Sequence, residues 1–337
     1  MWLTCLFLIF VVVFAFIRSR FWVRQPVRHW WNWPQRHKVA GLPPEKYVNH
    51  AHVESFWYEE ERKDVVEYLQ HQTNGVYFPD PQHVAAYFSG AYVSVFKKQE
   101  VYEGCIASRP VELRLDGRRY RGYFHEFMAS DKDAVSRDLV STHEWNRSKH
   151  TPDSPSVFFS PVPLFWIVPL CVYDVRWVQT RLYRKYPMVG CALVKATERN
   201  AHEIVTFWKD HPFQFQMVPT IHQLMSWIHA KVVSVYYVVG GGAILAMFFF
   251  KKTLMVERNK GVVDVCGAMV SHKGIEVAHA FSTLLHRVRR TTPIVRLHMV
   301  GHVPWMPLRP CFKQTKAYYY AYMYRGRYAK PTDCFIL

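Results

Sequence analysis

The order of patterns in this chain occurs twice. "EERKDVVEYLQ" from Glu60 leads to "YFPDPQHVAAYFSGAYVSVF", ending at Phe96. "TERNAHEIVTFW" from Thr197 leads to "QMVPTIHQLMSWIHAKVVSVYYV", ending at Val238. Glu61-Arg62 and Glu198-Arg199 open a helical pattern in each copy. An apolar-Pro turn then starts a second helix, through His83 and His222, and both copies reach the same strand triplet. Val93-Ser94-Val95 and Val233-Ser234-Val235 stand 140 residues apart. Strand-rich segments follow each copy, the first a hairpin turning at Asp116-Gly117. A chain that writes one supersecondary unit twice is expected to fold as two similar α/β units.

Composition permits this. Of 337 residues, 50% are hydrophobic and 16% aromatic, enough for a sizeable core. Lys and Arg outnumber Asp and Glu by 43 to 26, a net charge of +17, which points to an anionic partner such as a membrane surface or a phosphorylated cofactor. No nucleic-acid-binding motif accompanies the charge, so no nucleic acid is expected. The seven cysteines are widely spaced and read as thiols in a reducing compartment, and the 18 histidines make no zinc-site spacing, so no metal is expected.

Residues 1–19 hold an uncharged apolar run, Trp2–Ile17, that reads as a transmembrane anchor slightly short for a span. No basic segment precedes it and no small-residue cleavage site follows, which sets aside a cleaved signal peptide. Arg18, Arg20, Arg24 and Arg28 crowd its C-terminal side, so the rest of the chain is expected to face the cytosol from a single-pass anchor.

A strand end, a polar loop and a helix starting near Ser136 are read in "FMASDKDAVSRDLVSTHEW", Phe127–Trp145. A helix start of that kind suits a diphosphate, because its first N–H groups lack intrahelical partners.

On these residues the chain resembles the eukaryotic N-myristoyltransferases, a family of two tandem GNAT-like halves. Phe21-Trp22-Val23-Arg24-Gln25-Pro26-Val27 matches the family's Phe-Trp-x-Thr-Gln-Pro-Val opening, with Arg24 for Thr. Glu126-Phe127-Met128 resembles its Asn-Phe-Leu strand, whose last two amides form the oxyanion hole. Its Arg-Ser-Lys-Arg-Leu phosphate loop falls on Val135-Ser136-Arg137-Asp138-Leu139, where Val135 and Asp138 replace cations. Phe159-Ser160-Pro161-Val162 resembles its Tyr-Thr-Ala-Gly segment, with Ser160 for the Thr near the acceptor amine. Tyr318–Tyr324 resembles a late aromatic strand, and the apolar end Phe335-Ile336-Leu337 implies an inserted terminus whose carboxylate is the base. The family's acidic loop is replaced by "HQTNGVYFPD", His71–Asp80, which is shorter and nearly uncharged.

The resemblance implies an α/β (α+β) fold of two GNAT-like halves with pseudo-two-fold symmetry, 20–183 binding acyl-CoA and 184–337 binding peptide. It implies Leu337, Phe127, Met128 and Ser160 as catalytic residues. Phe21, Trp22, Phe127, Met128, Ala129, Ser130, Ser136, Arg137, Asp138 and Leu139 would hold myristoyl-CoA or another long-chain acyl-CoA. The implied acceptor is a protein or peptide with an N-terminal glycine. The altered phosphate loop and missing acidic loop leave a second reading: a catalytically inactive, membrane-anchored protein that keeps the fold as a binding or structural component. A basic membrane-surface adaptor of unrelated fold is a third, which the repeat argues against. The trimmed core suggests a viral origin.

Overall fold

The structure, a computed structural model, describes residues 2–18, 20–32, 42–58, 64–65, 67–68, 81–130, 132–211, 213–257, 260–271, 274–298 and 310–337. The stretch His71–Asp80 lies outside the described residues.

Among the described residues, fourteen strands form one sheet. In chain order they are β1 (Val53–Trp57), β2 (Tyr92–Lys98), β3 (Val101–Leu115), β4 (Arg118–Ser130), β5 (Ser156–Ser160), β6 (Cys171–Gln179) and β7 (Cys191–Lys195). Then come β8 (Phe215–Val218), β9 (Val233–Gly240), β10 (Ala243–Glu257), β11 (Lys260–Val270), β12 (Ile294–Leu297), β13 (Lys313–Tyr322) and β14 (Cys334–Ile336).

Read from either edge, the sheet passes through the same pairings. One edge runs β1-β2-β3-β4-β5-β13 and the other β7-β9-β10-β11-β12-β6. Each set makes three antiparallel steps. A parallel step follows, β4–β5 or β11–β12, then an antiparallel one. β13 and β6 meet antiparallel at the centre. The last strand of each set thus comes from the other part of the chain, so neither set is complete alone.

The two sets also share an irregularity. A register shift opposite Ala107/Ser108 leaves Glu126 as an extra residue in β4, and one opposite Phe249/Phe250 leaves Cys266 extra in β11. Counted from these bulges, Val93, paired with Ala107, corresponds to Val235, paired with Phe249. The Val-Ser-Val triplets therefore lie on equivalent strands but two positions out of register. A shift of two keeps every side chain on its own face, which is why the sequence likeness survives it.

Turn chemistry closes the hairpins. Asp116 and Gly117 take φ of 50° and 83°, the left-handed pair of a type I′ turn, as the Asp-Gly signal predicts. Gly241 and Gly242 do the same between β9 and β10, at 59° and 78°. Helix Asp133–His150 lies across β1, β2 and β3, while helix Ile275–Val288 packs on β7 and β10.

β14 lies parallel to β8, which pairs with β3, and the Leu337 N–H donates to Met217 O at 2.9 Å. Phe335, Ile336 and Leu337 are buried. Gly267, one residue past the bulge in β11, makes room for this strand: a Cβ there would stand 2.5 Å from the Phe335 ring. Gly267→Ala is expected to cost about 1–3 kcal/mol by overpacking. Urea unfolding checks this, and an unchanged midpoint would mean that the ring yields freely.

The N-terminal helix forms at Trp2–Arg18, and its described side chains are exposed. Its 17 residues reach about 25 Å, against about 30 Å of bilayer hydrocarbon. Among the described residues no helix is long and apolar enough to cross a membrane, so the expected transmembrane span is not supported.

Candidate active site

Beyond the bulge at Glu126, β4 and β5 part. They pair only at Tyr123–Ser156 and Phe124–Val157, so Phe127 to Ser130 run on without β5. A bulge interrupts the ladder and bends its strand, which is where spare backbone donors arise. A cavity of about 490 Å³ occupies this region, lined by Phe127, Met128, Ala129, Phe159, Met217, Ile336 and Leu337 at its apolar part. Arg109, Glu126, Lys251, Lys252, Asp264, Arg296 and His298 are among its polar lining.

Four charged or polar groups meet at its floor. Arg109, only 1% exposed, donates through Nε to Glu126 Oε2 at 2.7 Å and through Nη2 to the Leu337 main-chain oxygen at 2.8 Å. Lys251 donates to the other Glu126 oxygen. Burial by itself would raise the Glu126 carboxyl, but the Lys251 and Arg109 charges outweigh it and bring the group down to about 2. The Arg109 guanidinium also lies over the Trp227 and Phe124 rings, at 4.7 and 5.3 Å. Its Nη1 is buried without a hydrogen-bond partner among the described residues.

At the second bulge, Arg296 grips Asp264 through Nε and Nη2 at 2.5 and 2.6 Å, and His298 Nε2 stands 3.3 Å from it. Desolvation opposes ionisation of Asp264, yet Arg296 and His298 hold it well below the usual carboxylate range. Burial and the neighbouring Asp264 push the Cys266 thiol up to about 12, which makes it a poor nucleophile.

The phosphate loop departs from expectation in its start. The helix begins at Asp133, after Lys132, rather than near Ser136. Val135, Leu139 and Val140 form its buried stripe and draw the helix back by that much. The Ser136 N–H already donates to Lys132 O at 3.0 Å, and its hydroxyl meets that of Ser130. The amides without intrahelical partners are therefore those of 132–135. Arg137 is exposed, with Nε 3.3 Å from Asp133 O. Asp138 turns aside and accepts from Asn49 Nδ2 at 2.9 Å, so it does not oppose an anion at the helix start. Leu139 is core.

Phe21 and Trp22 bracket this region without lining the cavity. Phe21 packs with Val135 and Leu139, and Trp22 stacks on Phe158 of β5 at 5.3 Å and 11°. Gln25 is buried and accepts from the Tyr322 hydroxyl, while Val27 bridges to Tyr322. Ser160 is spent locally: its hydroxyl donates to Val162 O at 2.7 Å, and it does not line the cavity. The structure thus brings together Phe127, Met128, Ala129 and Leu337. Ser130 and Ser136 meet each other beside the helix start.

Sequence reasoning missed Arg109, Lys251 and the role of Glu126. The adjacent pair Lys251-Lys252 inside an otherwise apolar strand was the available signal.

One group of metal-ligating type occurs among the described residues: His125, His143 and Glu144, within 4.8 Å of one another. Arg147 donates to both Glu144 oxygens, and Ser94 and Ser108 meet the two nitrogens of His143. These partners fill the positions that a cation would need. The network instead pins helix Asp133–His150 to the sheet.

Parted parallel strands, a bulge and a helix start meet in one place, in a mixed α/β fold similar to that of solved N-acyltransferases. N-myristoyltransferase from Saccharomyces cerevisiae with bound myristoyl-CoA superimposes at a TM-score of 0.70, with 10% identity over 94% of this chain and 91% of that one. A GCN5-related N-acetyltransferase from Kribbella flavida matches at 0.53, with 9% identity over 80% of this chain and 70% of that one. A probable N-acyltransferase from Enterococcus faecalis V583 matches at 0.52, with 11% identity over 80% and 71%. No protein-family model and no curated protein sequence matches the chain. The likeness to N-myristoyltransferases read from the sequence holds at the level of the fold.

Proposed function

We propose that this protein is a membrane-associated, N-myristoyltransferase-like enzyme that moves a long-chain acyl group from acyl-CoA to an N-terminal glycine. The observation that carries the reading is the Leu337 main-chain oxygen, buried at the floor of the cavity that Phe127 and Met128 also line. Where the chain ends at Leu337 this oxygen belongs to a carboxylate, which accepts the amine proton as the Phe127 and Met128 amides polarise the thioester carbonyl. Residues 20–183 and 184–337 act as the acyl-CoA and peptide halves, a division supported by the mirrored order of pairings. The apolar helix Trp2–Arg18 attaches the domain to the cytosolic side of a membrane, in keeping with the basic residues after it.

The diphosphate of the co-substrate is held by the amides of 132–135 with Lys132 and Arg137. Arg137→Glu is therefore expected to weaken acyl-CoA binding by about 1.5–3 kcal/mol, the worth of a charge-assisted contact. Calorimetric titration with myristoyl-CoA measures it, and an unchanged dissociation constant would remove the loop from the site.

One observation favours a binding protein that does not turn over. Arg109 donates to the Leu337 oxygen at 2.8 Å and so competes with an incoming amine for its lone pairs. Single-turnover transfer to a glycine peptide decides between the two: binding of myristoyl-CoA without transfer would favour the inactive reading.

A further inference from the structure

A second feature besides the apolar helix faces solvent where a soluble domain would be polar. Trp30 and Trp31 are 63% and 45% exposed, and on the facing loop Val162 and Phe165 are 58% and 71% exposed. The loop reads Pro161-Val162-Pro163-Leu164-Phe165-Trp166, with no polar side chain in six residues. The two segments are built together. The Trp30 N–H donates to Trp166 O at 3.2 Å, His29 bridges to Ile167, and Trp30 stacks on Trp166 at 5.8 Å and 24°. Trp31 stacks on the buried His29 at 4.6 Å. Trp166 takes a left-handed φ of 71°, an unfavourable state for a bulky residue that these ring contacts hold in place.

We propose that Trp30, Trp31, Val162 and Phe165 form a membrane-docking surface that seats the folded domain on an anionic bilayer. Three observations select lipid as the occupant. The patch follows the apolar helix Trp2–Arg18 in sequence, with Trp30 only 12 residues past its end, so one surface is within reach of both. Its side chains are the amphipathic aromatics that settle at headgroup level. Basic residues stand beside it: Arg24 is exposed on the approach to Trp30, and Arg28 donates through Nη1 to Gly326 O at 2.7 Å, next to the exposed Arg327. The loop that carries the patch leaves β5 at Ser160, next to Phe159, which lines the cavity. Docking would thus set that wall close to the phase in which long acyl chains dissolve. The proposal deepens the membrane attachment given above and does not require the transfer reaction.

The test uses the full-length chain and phosphatidylcholine vesicles with and without phosphatidylserine. Hydrogen exchange at 28–32 and 161–167 is expected to slow when phosphatidylserine vesicles are added, while the turn at Gly241-Gly242 does not change. Trp30→Ser combined with Phe165→Ser is expected to weaken vesicle binding roughly tenfold or more, since two large apolar surfaces no longer leave water. A second variant, Phe10→Asp with Phe14→Asp, weakens the helix alone and should keep the protection at 161–167. Flotation that depends on the helix, without protection of the patch, would overturn the proposal and leave helix attachment standing. Absence of vesicle binding altogether would overturn both. Protection that grows with protein concentration in the absence of vesicles would assign the patch to a second copy of the chain and overturn the lipid.

Discussion

Extending the chain by a few residues past Leu337 is expected to abolish acyl transfer to a glycine peptide while leaving acyl-CoA binding largely intact. A base must stand within hydrogen-bond reach of the proton it takes, and losing one costs on the order of a hundred- to ten-thousand-fold. Where the chain ends at Leu337, extension replaces the carboxylate by a peptide carbonyl, a far weaker base, and moves the charge away. The added residues have somewhere to go, because Leu337 borders a cavity of about 490 Å³. Deleting Ile336 and Leu337 instead withdraws the chain end by about 7 Å. That variant also removes two buried apolar side chains, so the extension is the cleaner probe. Single-turnover transfer by the extended, truncated and unaltered chains, each with its unfolding midpoint, makes the comparison. Equal rates in all three would exclude the terminal carboxylate.

Much of the fold was legible because it is written twice. Strand periodicity tolerates a slip of two, so Val93-Ser94-Val95 and Val233-Ser234-Val235 marked the equivalent strands β2 and β9 despite their offset register. The Asp116-Gly117 turn was legible from its chemistry alone. The exchange of β6 and β13 between the two sets was not, since partners as far apart in sequence as Ile294 and Gln179, or Tyr318 and Ser160, leave no local trace. The start of helix Asp133–His150 was misjudged for a definable reason. Ser136 looks like a cap, but Val135 and Leu139 needed burial against Phe21 and fixed the helix earlier.

The site divides along the same line. Phe127 and Met128, whose expected part rests on backbone amides, stand on the cavity wall whatever their side chains are. Positions that depend on a side chain were less legible. Ser160 occupies the expected strand yet spends its hydroxyl on Val162. Arg109, Glu126 and Lys251 come from three strands, β3, β4 and β10, and their convergence depends on a bulge that the sequence does not announce.

That convergence leads to the second large effect. Arg109→Leu is expected to destabilise the protein by about 3–5 kcal/mol, because it leaves Glu126 with Lys251 alone and strips the Leu337 oxygen of its buried donor. The loss should depend on pH in a definite sense. The folded-state Glu126 carboxyl sits at about 2 against an ordinary 4.5, so its contribution is complete above about pH 4.5 and disappears as pH falls toward 2. A shift of that size corresponds to about 3 kcal/mol. Asp264 and Glu144, held low by Arg296 and Arg147, add acid sensitivity of the same sign. The difference between unaltered and Arg109→Leu proteins cancels those two and reports the groups that Arg109 itself holds, Glu126 and, where the chain ends at Leu337, its carboxylate. Urea unfolding at pH 7, 5 and 3 should therefore show a gap between the proteins that narrows on acidification. A gap that stays constant across the three would mean that Glu126 owes its ionisation to Lys251, and that Arg109 stabilises by packing and hydrogen bonding rather than by charge.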